Sequence, residues 1–385
     1  MSQQRISHSS DLKRLRDEGY EIEIKGGHLL AHHIPYLNSL KEVKYGTIVT
    51  VLALKPPDHT AHFCGEIPCD INGNALNAII NSSREQQVEG NIRVNHYFSS
   101  KPATGNYLDY YEKITTYTEI LCSQARGIDD TVTAKTFKVV ADTNEKTLFK
   151  YFDTNSSRAN IFQINSKVEG QKVAIIGLGG TGSYILDLLA KTHVSEIHLF
   201  DGDVFQQHNA FRSPGAPTVE LLNTQPKKVD YFASIYSNMH NGIETSGNIN
   251  KENIYLLEGM SYVFICIDKN EVKGLIMSKL RQFGVPFIDA GLGISVGDNN
   301  LIGTVRVTVG TTHKSDHLAS RIGTEDIDEN EYATNIQIAD LNCLNATLAV
   351  LKWKKLSGFY QDLKEEHNIL YSINTGQLIN EDFAA

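Results

Sequence analysis

The segment KVAIIGLGGTGSY, residues 172–184, joins a short apolar run to a glycine-rich turn. The apolar run has the β-branched composition of a buried strand, and the residues after the turn have the spacing of a helix. Gly177, Gly179 and Gly182 leave room for backbone amides to approach phosphate oxygens, and the start of a helix adds a favourable dipole. This context predicts a strand, loop and helix that bind a nucleotide, rather than a glycine-rich turn without a ligand.

Strands and helices alternate on the carboxyl-terminal side of this segment. The predicted strands cover residues 196–200, 262–267, 287–290 and 304–309. Such alternation is typical of a parallel, doubly wound sheet. We therefore expect residues 151–385 to form an α/β domain with a Rossmann-like, mostly parallel sheet. Asp201 ends the second strand, where a carboxylate can accept hydrogen bonds from ribose hydroxyls.

The amino-terminal residues follow a different pattern. Residues 45–54 and 59–63 have strand composition, and apolar residues recur at helical spacing from Tyr107 onward. We expect a smaller α+β domain over residues 1–150, with the tyrosines of this helix packed on its sheet. The polar stretch 142–157 marks the boundary between the two domains. Recruitment of a partner is the expected role of the first domain.

The composition excludes several classes of protein. The 385 residues carry 36 Lys and Arg against 45 Asp and Glu, a formal net charge of −9, which argues against nucleic acid or an anionic membrane as the main partner. The apolar runs are far shorter than the roughly 20 residues of a membrane helix, and residues 1–17 lack the apolar core of a secretory signal. Five cysteines without an export signal favour free thiols. We therefore expect a cytoplasmic protein.

Charged and amide side chains after the predicted strands distinguish two kinds of nucleotide enzyme. The strand predicted at 196–200 is followed by Asp203, Asn209, Arg212, Lys227 and Lys228. The strand predicted at 262–267 is followed by Asp268 and Asn270. Together they supply the carboxylate, amide, guanidinium and ammonium groups that a triphosphate and its Mg²⁺ require. A NAD-dependent oxidoreductase would use the glycine loop and Asp201, but it would leave Arg212, Lys228 and Asp268 without a purpose.

These residues resemble the adenylation domain of the ThiF/MoeB/HesA family, the bacterial relatives of ubiquitin-activating enzymes. The matching motifs are the glycine loop with Ser183, Asp201-x-Asp203 with Asn209 and Arg212, a lysine before an apolar helix, and Asp268 with Asn270. The resemblance covers residues 157–309. It implies an adenylyltransferase that uses ATP and Mg²⁺ to adenylate the C-terminal carboxylate of a ubiquitin-like protein, with a conjugating-enzyme-like acceptor as a further partner. A nucleotide-gated scaffold without turnover is the alternative.

The resemblance also implies a role for each matched residue. In that family the counterpart of Asp201 holds the ribose, those of Asn209 and Arg212 hold phosphates, and that of Asp268 binds Mg²⁺. Lys227 and Lys228 both remain open for the lysine that steadies the triphosphate, with Lys228 preferred because Lys228-Val229-Asp230 stands where the family has Lys-Ala-Glu. The expected nucleotide-binding set is Gly177, Gly179, Gly180, Gly182, Asp201, Asp203, Asn209, Arg212, Lys227 and Lys228.

Arg158 stands before the first strand of the second domain, where the family carries an arginine that reaches the ATP of the partner subunit. The resemblance therefore implies a homodimer with Arg158, Arg212, Lys228 and Asp268 as its catalytic residues. A guanidinium supplied in this way would stabilise charge on the departing pyrophosphate. A solvated linker arginine is the alternative.

The chain departs from the family pattern in its cysteines. It has no Cys-x-x-Cys pair, so a structural zinc site is not expected. It also lacks a cysteine between Asp268 and Leu341, where many relatives form a thioester. The acyl group could instead be taken by Cys69, in a predicted exposed turn, or by Cys343, in a helical segment. A hydroxyl of the later loop is another candidate, from Ser315, Ser320, Thr324 or Thr334. The reaction could also proceed without a covalent intermediate.

Overall fold

The computed structural model describes residues 2–52, 56–89, 91–140, 147–323 and 336–384, and the chain divides into two units, Met1–Asn160 and Ile161–Ala385. Parts of two sequence predictions lie outside the described residues: the end of the strand at 45–54 and the start of the polar stretch at 142–157. The candidate acceptors Thr324 and Thr334 lie outside them as well. Within the described residues, no helix combines the length and apolar character needed to span a bilayer.

The first unit contains an antiparallel sheet of six strands. The strands are β1 Ile22–Lys25, β2 His28–Leu37, β3 Val43–Val51, β4 Thr60–Cys64, β5 Ile80–Val88 and β6 Ile92–Ser99, in the order β1-β2-β3-β4-β6-β5. The helices are α1 Ser2–Ser7, α2 Ser10–Asp17, α3 Tyr110–Arg126 and α4 Thr154–Ala159. This arrangement confirms the predicted α+β class of the first domain.

Helix α3 supplies much of the core of the first unit. Asp109 begins it, because its side chain accepts a hydrogen bond of 2.8 Å from the backbone amide of Glu112. Tyr110, Tyr117 and Leu121 are buried against the sheet, as helical spacing of the apolar residues predicts. The predicted packing of the tyrosines on the sheet is therefore confirmed.

The second unit contains a mixed sheet of eight strands with helices around it. Its strands are β7 Lys172–Ile176, β8 Glu196–Phe200, β9 Ile243–Ser246, β10 Tyr262–Ile265, β11 Phe287–Gly297, β12 Asn300–Gly310, β13 Glu366–Ser372 and β14 Gln377–Phe383. Its helices are α5 Phe162–Asn165, α6 Gly180–Leu189, α7 Gln207–Ala210, α8 Val219–Thr224, α9 Lys228–Tyr236, α10 Asn270–Phe283, α11 Leu318–Arg321 and α12 Ala339–Leu356, with a 3₁₀ turn at Ile254–Leu257.

The strand order β14-β13-β12-β11-β10-β7-β8-β9 places β7 near the middle of the sheet. The five strands from β11 to β9 run parallel, so the Rossmann-like, mostly parallel sheet is confirmed. The strand predicted at 304–309 is antiparallel to β11 instead. The reason is a two-residue turn at Asp298 and Asn299, both with positive φ, which joins β11 to β12 as a hairpin.

Strand β7 is buried on both faces because a hydrophobic core lies on each side of the sheet. Val173 and Ile175 face the core that contains α6 and α12, whereas Ala174 and Ile176 face the core that contains α10. A strand covered on both faces is apolar at consecutive positions, which explains the unbroken run at 173–176. Trp353 of α12 is fully buried in the first of these cores, and its indole Nε1 donates to Gln171 at 3.0 Å.

A buried ion-pair network begins at Lys352, the residue before Trp353. The side chain of Lys352 is fully buried, and its Nζ lies 2.8 Å from Asp362 and 3.7 Å from Glu366. Burial raises the pKa of Asp362, but the hydrogen bonds from Lys352 and from the backbone outweigh this effect and lower it to about 2. Asp362 therefore stabilises the fold in its charged form.

We predict that Asp362→Asn lowers the free energy of unfolding at neutral pH by about 3 kcal/mol, because the buried Lys352 loses its closest counter-ion. The difference from the wild type should be complete above about pH 4, the usual Asp pKa, and should shrink as the pH falls toward 2. Urea unfolding followed by the fluorescence of Trp353, the only tryptophan, measures it. Asp316→Asn is the control, since Asp316 is 75% exposed and should change stability by less than about 0.5 kcal/mol. An equal effect of both substitutions would contradict the assignment.

Candidate active site

The candidate site lies where the direction of the strand order reverses. From β7 the chain continues to β8 and β9 on one side, then returns to β10 on the other side of β7. The loops after β7 and β10 therefore diverge and leave a crevice at the carboxyl ends of the strands, which is the usual ligand site of such sheets. A cleft of about 670 Å³ opens there; its charged and amide lining residues are Asp201, Asp203, Arg212, Lys228, Asp268, Asn270, Lys273, Arg306 and Gln337.

The glycine loop forms one wall of the cleft, and close packing explains its glycines. Gly177 has a φ of +91°, and a Cβ there would lie 2.7 Å from the carbonyl oxygen of Cys266. A Cβ on Gly182 would lie 1.9 Å from the carbonyl oxygen of Gly177, so Gly182 lies behind the loop and allows its turn. Gly177, Gly179 and Gly180 line the cleft themselves.

Asp201 connects the glycine loop to the end of β8. Its Oδ2 accepts a hydrogen bond of 2.7 Å from the amide of Leu178, and its Oδ1 accepts one of 2.8 Å from the amide of Asp203. Asp201 is buried, whereas the side chain of Asp203 is 70% exposed. The two carboxylates differ accordingly: Asp201 holds the backbone, and Asp203 presents oxygens to the cleft.

Lys228 lines the cleft as the first residue of α9. Its Nζ lies 2.7 Å from Oδ2 of Asp203 and 3.7 Å from Oδ2 of Asp201. The hydrogen bond from Lys228 lowers the pKa of Asp203, so this carboxylate is charged at neutral pH. Lys227 is the residue before α9, and it is not among the residues that line the cleft.

Arg212 lines the cleft near Asp268. Burial lowers the pKa of Arg212, and the charge of the nearby Asp268 offsets this effect only in part. The Nε of Arg212 is buried and has no hydrogen-bond partner among the residues that the structure describes. A guanidinium with an unsatisfied donor at a polar cleft is suited to bind an anion.

Asn209 lies in α7 and is not among the residues that line the cleft. Its side-chain oxygen accepts a hydrogen bond of 2.8 Å from the amide of Gln206, which forms the capping box of α7, and the residue is buried. Sequence reasoning missed Asn342, a fully buried residue of α12. Its Nδ2 donates to the carbonyl of Arg212 at 3.1 Å, and its Oδ1 accepts from the hydroxyl of Thr181 at 3.2 Å. Asn342 thereby joins the glycine loop to the backbone that carries Arg212, a role that no local motif signals.

Two further lining residues, Lys273 and Arg306, also escaped the sequence analysis. Both lie beside Asp289, which is fully buried: Nζ of Lys273 is 3.1 Å from its Oδ1, and Nη2 of Arg306 is 2.6 Å from its Oδ2. The three residues come from α10, β11 and β12, so only the pairing of the strands brings them together.

Arg158 belongs to the first unit, whereas the residues that line the cleft all belong to the second. It lies in α4, and its guanidinium donates a hydrogen bond of 3.1 Å to the backbone carbonyl of Asp17.

The structure corrects the expectation that Cys69 is exposed. Cys69 is 1% exposed, because its backbone forms bridges to Leu37 and Ala75 that place the turn against the sheet. Burial raises the pKa of its thiol, which disfavours the reactive thiolate. Cys343 is half-buried within α12.

The fold and the cleft define an α/β domain of the kind that binds nucleotides at a strand switch point. Family comparison specifies it further: residues 144–329, most of which lie in the second unit, match the ThiF family. Residues 10–154 match a family described as a domain of unknown function, DUF6791. The comparison with curated proteins finds no match.

Solved structures that resemble part of this chain include one of PaaA and two of MccB. Selenomethionine PaaA is 17% identical over 60% of this chain and 80% of its own, with a TM-score of 0.45. Escherichia coli MccB with ATP is 16% identical over 63% of this chain and 72% of its own, with a TM-score of 0.47. The microcin C7 biosynthetic enzyme MccB with N-formylated MccA is 14% identical over 80% of this chain and 96% of its own, with a TM-score of 0.47. Identities and scores this low carry no argument about function.

We predict that Gly182→Ala destabilises the second unit by about 1 to 3 kcal/mol, because the new methyl group meets the backbone carbonyl of Gly177, which cannot move without distorting the loop. Urea unfolding followed by the fluorescence of Trp353 measures the change. Gly247→Ala is the matched control, since a Cβ there has no atom within 4 Å and φ is not positive. Equal stability of Gly182→Ala and the wild type would show that the loop adapts.

Proposed function

We propose that this protein is an ATP-dependent adenylyltransferase that activates a carboxylate as an acyl adenylate. The observation that carries the proposal is the cleft at the strand switch point, which brings together the glycine loop, Asp203, Arg212, Lys228 and Asp268. The ThiF family domain at residues 144–329 supports it. The groups fit a triphosphate better than a nicotinamide dinucleotide, because two cations and exposed carboxylates surround the phosphate loop.

The reaction exchanges one phosphoric anhydride bond for an acyl phosphate bond. An oxygen of the substrate carboxylate attacks the α-phosphorus of ATP, and the bond from that phosphorus to the bridging oxygen of the β-phosphate breaks. Pyrophosphate leaves with the electron pair. The amides of the glycine loop and the start of α6 hold phosphate oxygens, while Arg212 and Lys228 neutralise the charge that moves to pyrophosphate. The resemblance gives the ribose to Asp201, but both oxygens of Asp201 accept backbone amides, so the exposed Asp203 would accept the hydrogen bonds of the ribose and Asp201 would hold it in position.

The donor set of the cleft fits Mg²⁺ bound together with the nucleotide. The described residues include no cluster of three or more His, Cys, Asp and Glu side chains that could form a complete metal cage. Mg²⁺ characteristically binds one or two carboxylates and completes its shell with substrate phosphates and water. Asp268, in the loop between β10 and α10, is the carboxylate that would hold it, and the ion would neutralise phosphate charge.

For the substrate we propose the C-terminal carboxylate of a ubiquitin-like protein, in a bacterial conjugation pathway with a conjugating-enzyme-like acceptor. The basis is the resemblance of the motifs to ubiquitin-activating enzymes. The first unit would recruit these partners, and the chain would act as a cytoplasmic homodimer.

Exchange of labelled pyrophosphate into ATP tests this function. Exchange that depends on an added ubiquitin-like protein from the same gene neighbourhood is the expected result. Tight ATP binding without exchange or AMP formation would favour the nucleotide-gated scaffold instead. Calorimetry with NADH alongside ATP and Mg²⁺ distinguishes the oxidoreductase, which would bind NADH and not ATP.

We predict that Asp268→Asn keeps ATP binding within a few-fold but lowers pyrophosphate exchange by two or more orders of magnitude, the effect of losing one metal-binding or charge-stabilising group. Calorimetry and the exchange assay measure the two quantities on the same preparation. Asp298→Asn is the control, since Asp298 is exposed in the turn of the β11–β12 hairpin. Exchange near the wild-type rate in Asp268→Asn would remove this residue from the metal role.

We further predict complementation between Arg158→Ala and Asp268→Asn, if Arg158 acts across a twofold axis as proposed. Each variant alone should be nearly inactive. In mixed dimers one site would receive a wild-type Arg158 from one chain and a wild-type Asp268 from the other. Activity should recover to about a quarter of the wild type, because about half of the random dimers are mixed and each has one intact site of two. No recovery, with subunit exchange verified by native mass spectrometry, would show that Arg158 does not act in trans.

A further inference from the structure

The cleft contains a second charged cluster beyond the nucleotide side, formed by Lys273, Asp289 and Arg306. Arg306 and Lys273 line the cleft, and Asp289 lies between their cationic groups with no exposed surface. Arg306 also donates to the hydroxyl of Thr308, which in turn donates to Asn368 at 2.8 Å. The guanidinium is thus fixed from the protein side, on a residue that lines the cleft.

The charges of this cluster do not balance within the described residues. One buried carboxylate lies beside two cations, which leaves about one positive charge at the cleft wall. Of the five N–H donors of a guanidinium, two are engaged by Asp289 and Thr308. A monoanion such as a carboxylate would neutralise the one positive charge that remains, whereas a group with two or more negative charges would be repelled by Asp289.

The backbone of β11 provides the surface on which this anion would lie. Gly291 is directly opposite Arg306 in the register, and a Cβ on Gly291 would lie 2.7 Å from Nη2 of Arg306. The missing side chain therefore lets the guanidinium lie across the strand. Strand β10 pairs with β11 only at residues 287–289, so residues 290–295 line the cleft without a described strand neighbour on that side.

The cluster is separate from the phosphate loop. Strand β11, which carries Asp289 and over which the guanidinium of Arg306 lies, is two positions from β7 in the sheet order, a distance of about 10 Å at the usual strand spacing. The cleft extends from the glycine loop over β10 to this strand. A ligand of the cluster can therefore belong to a second molecule in the same cleft.

We propose that Lys273 and Arg306, held by Asp289, form a carboxylate-binding subsite for the substrate that the enzyme adenylates. This inference rests on the proposed function for its biological meaning. The carboxylate comes either from the C-terminus of the substrate or from an acidic side chain near it, and both present the same monoanionic group.

Three small probes distinguish these sources: N-acetyl-Gly-Gly, with a terminal carboxylate; N-acetyl-Glu-Gly-amide, with a side-chain carboxylate; and N-acetyl-Gly-Gly-amide, with neither. NMR titration of each probe into the full chain gives its Kd, and calorimetry gives the Kd of ATP with Mg²⁺. For at least one of the two acids, Arg306→Gln should raise the Kd tenfold or more and leave the Kd of the neutral amide unchanged. The acid that responds identifies the source.

Gly291→Ala tests the geometry without changing any charge. Its methyl group displaces the guanidinium, so the Kd of the same acid should rise threefold or more. Arg281→Gln, an exposed arginine of α10, is the control and should match the wild type. Near-ultraviolet circular dichroism verifies that each variant is folded.

Three results would overturn the subsite. The first is that Arg306→Gln and Gly291→Ala bind both acids with wild-type affinity, and the second is that the wild type binds neither acid. The third is that Arg306→Gln loses as much affinity for ATP as for the acid, which would assign the cluster to the nucleotide. The failure of the proposed function has a different signature, because wild-type protein would then fail to bind ATP while the acid titrations still report on the cluster.

Discussion

The geometry of the cleft depends on one buried carboxylate, that of Asp201. Its two oxygens accept backbone hydrogen bonds from Leu178 in the glycine loop and from Asp203 after β8, so two loops that follow different strands are held in one arrangement. Without it, a buried amide would lose its partner, at a cost of about 1 to 3 kcal/mol. Because Lys228 pairs with both Asp203 and Asp201, the position of the principal cation also follows from this residue.

The cleft holds its cations by pairing them with carboxylates that differ in exposure. Lys228 faces the exposed Asp203, whereas Lys273 and Arg306 share the fully buried Asp289. The exposed carboxylate can give up its ion pair when a ligand binds, whereas the buried carboxylate stays paired with its cations. This difference gives the two ends of the cleft distinct chemistry: one end can rearrange around a nucleotide, and the other presents a fixed, net positive wall.

Much of this site was readable before the fold was known, because its groups lie in a short segment around each strand end. The glycine loop and Lys228, the first residue of α9, have local signatures, and both line the cleft. Cys69 shows the limit of that reasoning. It follows a turn in the sequence, yet its bridges to Leu37 of β2 and to Ala75 bury it against the sheet.

The sequence by itself determined the α/β class of the second domain, the doubly wound sheet and the strand ends at which the polar groups gather, because periodicity and glycine spacing are local properties of the chain. Only the tertiary structure decided the antiparallel direction of β12, the bridging position of Asn342 and the meeting of Lys273, Asp289 and Arg306. These features join residues that are far apart in the chain. Their physical basis is strand register and the burial of charge, and both are fixed only when the sheet has formed and water has been excluded from its edge.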